Sequence, residues 1–367
     1  MIPFVDLKAQ YHSIAREVDI EMRKVLEQTN FILGEPVAAF EKEFAVFCDS
    51  KYCIGVASGT DALHLALRAL GIGPGDEVIA PANTFVATVL AISYVGARPV
   101  LVDVDPQTFN IDFDDLEKKI TPKTKVIVPV HLYGRVLNMD HLMALAKKHG
   151  IKVVEDACQA HGAVWEGKKA GSFGTMGCFS FYPGKNLGAY GDAGAIVTSD
   201  EALSNSLKML RNYGSPKKYY HDSQGYNSRL DTLQAAILRV KLKHIVEWNR
   251  KRFLNAQLYY GKLRGVGDII LPDIPSIDEH VFHLFVIRTK QRDGLLKFLQ
   301  DRQVQAGIHY PVPIYALGAY THLGLTADDY PVTEKLSKEI LSLPMYPELL
   351  EAQIDEVAGC IRDFFIQ

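Results

Sequence analysis

Residues 53–104, CIGVASGTDALHLALRALGIGPGDEVIAPANTFVATVLAISYVGARPVLVDV, alternate short β-branched runs with runs of helical period. CIGVA (53–57) reads as a strand, after which Leu63, Ala66, Leu67 and Leu70 recur at helical spacing until Gly71 and the Gly73-Pro74-Gly75 turn stop them. EVIAP (77–81) then precedes a helix carrying Phe85, Val86, Val89, Leu90 and Ile92, and PVLVDV (99–104) leads to a helix capped by Asp112. Outward from this stretch the cycle continues through KVIVPV (125–130), a helix from about Met139 to Lys148, and IKVVED (151–156). Strands that are apolar throughout, alternating with helices, predict a mostly parallel sheet covered by helices on both faces. After residue 177 the rhythm changes to GCFSFY (177–182), GAIVTS (194–199) and helices over about 200–213 and 230–262. A Gly-, Pro- and Asp-rich break near 263–280 then introduces FHLFVIRT (282–289) as a strand, a helix at 293–302 and a last helix near 350–365. The expected division is a large domain over 1–262, with an N-terminal arm at 1–30, and a small α+β domain over 263–367.

A chain of 367 residues has room for two such units. Its 40 Lys+Arg against 43 Asp+Glu give a net charge of −3, and no basic run suggests a nucleic-acid partner. Small-molecule partners are expected. The five cysteines (Cys48, Cys53, Cys158, Cys178, Cys360) are odd in number and widely spaced, which fits reduced thiols and a cytoplasmic location. No spacing suits a metal site, and no secretory leader or membrane-length apolar run is visible.

Ligands of parallel sheets lie beyond the carboxyl ends of the strands, so the residues following each run are the candidates for chemistry. Ser58-Gly59-Thr60 stands between a strand and a helix start, where free N–H groups and hydroxyls suit an anion, although Ser58 is equally a plain helix cap. Asp156 ends an apolar strand, with Gln159 one turn on, and a carboxylate there needs a cation or a donor. A protein Lys or Arg would serve, and so would a protonated pyridine ring. At ~4 Å and an effective dielectric of ~20 such a pair gains roughly 4 kcal/mol, or about three pKa units. Lys185, in FSFYPGKNLGAYGDAGA, lies in a Gly/Pro loop between two strands and has two readings: a solvated surface charge, as most lysines are, or an amine held inside the protein, where desolvation lowers its pKa and makes it a Schiff-base former. Phe85 and the Asn227–Arg229 stretch before a long helix admit both structural and ligand-facing readings.

Together these segments resemble the DegT/DnrJ/EryC1/StrS family of sugar aminotransferases. The resemblance runs in order through IPFVDLKAQY, NFILGEPVAAFEKEFA, GVASGTDALHLAL, PANTFVAT, PVHLYG, VVEDACQAHGA, FSFYPGKNLGAYGDAGA, GYNSRLDTLQAAIL and GIHYPVPIY, nearly the whole chain. It implies the aspartate aminotransferase fold (PLP fold type I) and pyridoxal 5′-phosphate (PLP) as cofactor. It further implies Lys185 as the Schiff-base lysine, Asp156 on the pyridinium nitrogen, Gln159 on the ring hydroxyl and Phe85 stacked on the ring. Gly59, Thr60 and Ser180 would hold the phosphate, with Asn227 supplied by the second subunit of a homodimer.

The lysine itself separates this chain from related dehydratases that carry histidine there. The FYPGKNLGxxGD form of the loop resembles aminotransferases of 3-ketosugars more than those of 4-ketosugars. The expected reaction moves an amino group from an amino acid, glutamate by family analogy, to a dTDP-3-keto-6-deoxyhexose. The resemblance has two departures, Ala193 where a second glycine is common and Tyr315 where histidine often follows the HYPxP motif. Tyr182, Lys217, Lys218, Tyr219, His309 and Tyr310 are the candidate sugar-nucleotide contacts. The alternatives are a 4-ketosugar aminotransferase, a non-catalytic sensor on the same fold, and a Rossmann-type sugar oxidoreductase. The last lacks a G-x-G-x-x-G after the first strand.

Overall fold

The computed structural model describes residues 1–366. Seven strands form the central sheet: β1 (Tyr52–Val56), β2 (Glu77–Pro81), β3 (Arg98–Val102), β4 (Thr124–Ile127), β5 (Lys152–Asp156), β8 (Met176–Ser180) and β9 (Gly194–Thr198). Between β5 and β8 lie the short β6 (Val164–Trp165) and β7 (Lys168–Lys169), paired with each other. The order is β1-β9-β8-β5-β4-β2-β3, with every pairing parallel except the two made by β9. Because β9 runs against both neighbours, the carboxyl ends of β1, β2, β5 and β8 still share one edge of the sheet.

The connecting helices are α1 (Leu7–Gln28), α2 (Glu35–Phe47), α3 (Gly59–Ala69), α4 (Val86–Tyr94), α5 (Phe113–Lys119), α6 (Met139–His149), α7 (Glu201–Leu210), α8 (Thr232–Leu242) and α9 (Ile245–Leu263). Asp112 and Asn138 cap α5 and α6 by accepting from Asp115 N and His141 N. The uninterrupted apolar strands now have their cause. Ile79, Val153 and Val197 enter one core cluster while their neighbours Val78, Val154 and Ile196 enter another, so both faces of each strand are buried. Each such fully buried Val or Ile is worth ~1.5–3 kcal/mol.

The helical stretch expected over 230–262 is two helices, broken at Lys243 and His244. Neither residue is a helix breaker, so nothing local announces the bend. The C-terminal part holds β10 (Phe285–Arg288), α10 (Arg292–Asp301), α11 (Pro331–Glu339), β11 (Ile340–Leu343) and α12 (Glu351–Ile366), with β10 and β11 antiparallel. The strand expected over 282–289 is shorter because the chain enters it through Phe282 at φ 41° and bends at residues 283–284. Its core takes in Ile2 and Phe253, Ala256, Tyr259 and Leu263 of α9. Conversely, Ile314, Tyr315, Tyr320 and Tyr330 pack into the cluster on the α3–α4 side of the sheet. This strap brings the preceding His309 and Tyr310 against the carboxyl edge of the sheet. No helix among the described residues is long and apolar enough to cross a membrane.

Candidate active site

The carboxyl edge gathers residues from six distant parts of the chain. Strand β5 ends on Asp156, whose Oδ2 accepts from the Thr88 hydroxyl at 2.8 Å and whose Oδ1 accepts from Cys158 N at 3.2 Å. Asp156 is 6% exposed. Its strand neighbour Glu155 points to the opposite face, where it is fully buried and accepts from the N–H groups of Gly171, Phe173 and Gly174 and pairs with His131 at 2.9 Å. The turn after β5 presents Gln159. Its Oε1 accepts from Tyr133 N at 2.7 Å, and its Nε2 donates to the Tyr310 hydroxyl at 3.2 Å.

Tyr310 lies 5.5 Å, ring centre to ring centre, from Phe85, which occupies the N-cap position of α4 and is half exposed. An aromatic face this open at the edge of a closed core is available to a flat ligand. The Tyr133 hydroxyl donates to the His309 carbonyl, and His309 Nδ1 bonds Ser342 Oγ at 2.9 Å. The expectation that His309 and Tyr310 return to the site thus corresponds to contacts with Tyr133, Gln159 and Phe85.

Helix α3 begins at Gly59, with Ser58 as its cap accepting from Asp61 N at 3.1 Å. The capping reading of Ser58 is therefore realised. It leaves the N–H groups of Gly59 and Thr60 without an assigned acceptor among the described residues. A Cβ on Gly59 would stand 2.5 Å from Ser180 Cβ and 3.1 Å from Cys158 Sγ, so glycine here lets the helix start lie directly against the end of β8. The result is a cradle of free N–H groups and the Ser180 and Thr60 hydroxyls, with the positive end of a helix behind it.

Lys185 follows in the loop after β8, its N–H donating to the Tyr182 carbonyl at 2.8 Å. The residue is half-buried, and burial lowers the pKa of its amine, opposed by the nearby Cys158 and Asp156. The next residue, Asn186, is fully used: Nδ2 donates to Asn249 Oδ1 and to the Val281 carbonyl, each at 2.9 Å, and Oδ1 meets His283 Nδ1 at 3.2 Å. Loop and C-terminal part are pinned together at the residue beside the lysine.

Three histidines feel the charge of this amine. Burial first, and the charge of Lys185 second, lowers His161 to about 3, His309 to about 4 and His283 well below its ordinary value. Burial, and then the charge of Arg135, takes His280 to about 3 as well. The folded protein therefore holds fewer protons than the unfolded chain between about pH 3 and 6.5. Stability is expected to fall as pH drops through that window, by at most about 1.4 kcal/mol per pH unit for each fully buried imidazole. Urea midpoints at pH 7, 6 and 5 would measure the slope, and His280→Asn, which keeps an acceptor for the Phe282 N–H, should flatten it.

Except for Tyr182, whose carbonyl accepts from Lys185 N, the remaining sequence-derived candidates lie apart from this cluster. Tyr182 is exposed, and Tyr219 sits on an exposed loop where Lys217 and Lys218 lie over the rings of Tyr220 and Tyr219. Asn227 is exposed and lines a cavity of about 450 Å³ with Ile32, Ala57, Gly191, Arg229 and Gln234. Among the described residues no hydrogen bond joins Lys217, Lys218, Tyr219 or the Asn227 side chain to the residues around Lys185. Sequence reading missed Thr88, Tyr133, His161 and His283. Tyr133 had a signal in the glycine that follows it in HLYG, a residue that permits the tight turn seen here at φ 60° and 100°. The others carry none, because each acts through a partner far along the chain.

Comparison with known proteins places nearly the whole chain in one family. The model of the DegT/DnrJ/EryC1/StrS aminotransferase family matches residues 12–362. The dTDP-3-amino-3,4,6-trideoxy-α-D-glucose transaminase of Streptomyces venezuelae is 45% identical over 99% of this chain and 96% of its own length. The UDP-N-acetyl-3-dehydro-α-D-glucosamine 3-aminotransferase of Acidithiobacillus ferrooxidans is 47% identical over 98% of this chain and 97% of its own. The crystal structure of DesV from S. venezuelae, in complex with a ketimine intermediate, superposes with a TM-score of 0.97 at 45% identity, covering 100% of this chain and 99% of that one. With a match across nearly its whole length, and a lysine and an aspartate on one sheet edge, the chain belongs to the DegT/DnrJ/EryC1/StrS aminotransferase family.

Proposed function

We propose that this protein is a PLP-dependent aminotransferase that moves an amino group from an amino acid, glutamate by family analogy, onto carbon 3 of a nucleotide-linked ketosugar. The observation that carries the chemistry is a lysine, in the loop after β8, on the same sheet edge as the carboxylate that ends β5. The residues fit the cofactor: the helix start at Gly59, with unclaimed N–H groups beside the Ser180 hydroxyl, suits a phosphate dianion, and the open face of Phe85 suits a ring. When bound, PLP supplies an electron sink and carries the amino group between the two substrates.

The protein's own part follows from its residues. Gly59 and Thr60 N–H groups, with the Ser180 hydroxyl, hold the phosphate. Asp156 keeps a proton on the ring nitrogen, Gln159 bonds the ring hydroxyl and Phe85 covers one face. Lys185 would anchor the cofactor, and its Nζ would hold and move the proton of the donor's α-carbon as general base. A lowered pKa suits that task because more of the amine is unprotonated near neutrality.

The sugar nucleotide then meets Tyr182, Lys217, Lys218, Tyr219, His309 and Tyr310, with loop lysines and local dipoles offsetting a net charge of −3. Asn227 reaches the cofactor phosphate of a second copy. Exposed Ile20, Leu26, Phe31, Ile32 and Leu33 on and after α1 favour such a homodimer. Residues 263–367 act as the small domain over the site, and five free thiols favour the cytoplasm.

The favoured acceptor is a dTDP-3-keto-6-deoxyhexose, and both relatives above are named for amino groups at carbon 3. The UDP-linked relative makes a UDP-3-ketosugar the second reading. Purified enzyme with glutamate should turn over the dTDP-3-ketosugar at least about 100-fold more efficiently, by kcat/KM, than its 4-keto isomer. Equal or better use of the 4-keto isomer would overturn the regiochemistry, and no turnover of any ketosugar would revive the sensor reading.

A further inference from the structure

Helix α4 contributes more to the site than Phe85. Three residues beyond it, Thr88 is 1% exposed, and its hydroxyl donates to Asp156 Oδ2 at 2.8 Å. One turn before Thr88, Thr84 is 3% exposed and its hydroxyl lies 2.9 Å from that of Thr88. A helical threonine ordinarily satisfies its hydroxyl on the carbonyl one turn back. Thr88 instead gives its proton to a side chain on another element, 68 residues along the chain.

The direction of the chain is forced by chemistry. An ionised carboxylate only accepts, so the Thr88 proton is committed to Asp156. Thr88 can then only accept from Thr84, and both O–H bonds point the same way: Thr84 to Thr88 to Asp156. The second carboxylate oxygen is held by Cys158 N at 3.2 Å. The terminal torsion of an aspartate is otherwise broad, so these two bonds fix which way the carboxylate faces. Phe85 and Thr88 share the first turn of one helix, so the surface for the ring and the orientation of its nitrogen's partner are set by one rigid element.

We propose that Thr88, backed by Thr84, is a positioning residue that turns the Asp156 carboxylate toward the ring nitrogen of the cofactor. The inference rests on the proposed pairing of Asp156 with that nitrogen. Neither threonine touches the cofactor in this account. Each acts through Asp156, Thr84 at one further remove.

Titration of apo-protein with PLP, followed by absorbance and by quenching of intrinsic fluorescence, provides a readout independent of turnover. Thr88→Val keeps the shape and removes the donor, and should weaken PLP binding about tenfold, the loss of one hydrogen bond to a charged group. The donor half-reaction should slow by a similar factor with KM for the sugar nucleotide unchanged. Thr88→Ser, which restores the hydroxyl, should bind within about threefold of wild type. Thr84→Val should weaken binding about threefold alone and have no further effect beside Thr88→Val, because it acts only through that hydroxyl. Full additivity of the two changes would overturn the directed chain. Asp156→Ala separates the two levels of argument. If it leaves PLP affinity unchanged, the pairing of Asp156 with the ring fails. If it weakens binding while Thr88→Val binds like wild type, only the role of Thr88 fails. Should Thr88→Val not fold, Thr84→Val tests the chain from its far end, where wild-type affinity would overturn it.

Discussion

Replacing Lys185 by alanine is expected to abolish amino transfer in both directions while leaving the fold intact. Lys185 lies in a loop, with no side-chain hydrogen bond or ion pair among the described residues, so little native structure depends on its amine. Burial already disfavours its charge, so deleting it removes a destabilising group, and thermal stability of the apo-protein should be unchanged or slightly higher. Both half-reactions, by contrast, need a base at the substrate carbon. The loss should be about 10⁴-fold, the upper range for a positioned general base. Single-turnover absorbance changes with glutamate, and separately with the aminated sugar product, would measure each direction. Half-reaction rates within tenfold of wild type would remove Lys185 from the centre of the mechanism. Lys185→Arg should be equally inactive, because a guanidinium retains its proton at any workable pH.

Asp156→Asn carries the second-largest expected effect, since it removes a charge while nearly conserving volume. At ~4 Å and an effective dielectric of ~20, a carboxylate and a protonated ring attract by roughly 4 kcal/mol. Loss of that attraction corresponds to about 10³-fold in the fraction of protonated ring, and the donor half-reaction should slow by about that factor. The Thr88 hydroxyl can still donate to an amide oxygen, so the local geometry has a means of surviving. A rate within tenfold of wild type at pH 7, with unchanged PLP affinity, would show that Asp156 does not serve the ring.

Both variants act on residues whose type and setting were legible in the chain itself. IKVVED puts a carboxylate at the end of a strand buried on both faces, and FSFYPGKNLGAYGDAGA puts an amine in a loop between two strands. Such signals are local: apolar period, Gly and Pro punctuation, and the cost of burying a charge. They suffice for the layered α/β architecture and the helix start at Gly59, and they single out Lys185 and Asp156 as candidates. The family resemblance adds the cofactor and the class of substrate.

What the chain alone does not determine is anything that depends on register across long separations. The two antiparallel pairings of β9 follow from how the loop around Lys185 folds back, and GAIVTS reads the same in either direction. The break at Lys243 and His244 has no Gly or Pro behind it and is set by packing, with α8 against α2 and α9 in the C-terminal core. Gln159 meets Tyr310 across 151 residues, and Thr88 meets Asp156 across 68. Sequence by itself thus determined the layers of the fold and the lysine and aspartate that end up on one edge, because burial and local period are properties of short segments. Tertiary structure decided which hydroxyl orients the aspartate, which tyrosine meets the glutamine and which histidines feel the charge of the amine. Those contacts exist only once distant strands and helices lock into one packing.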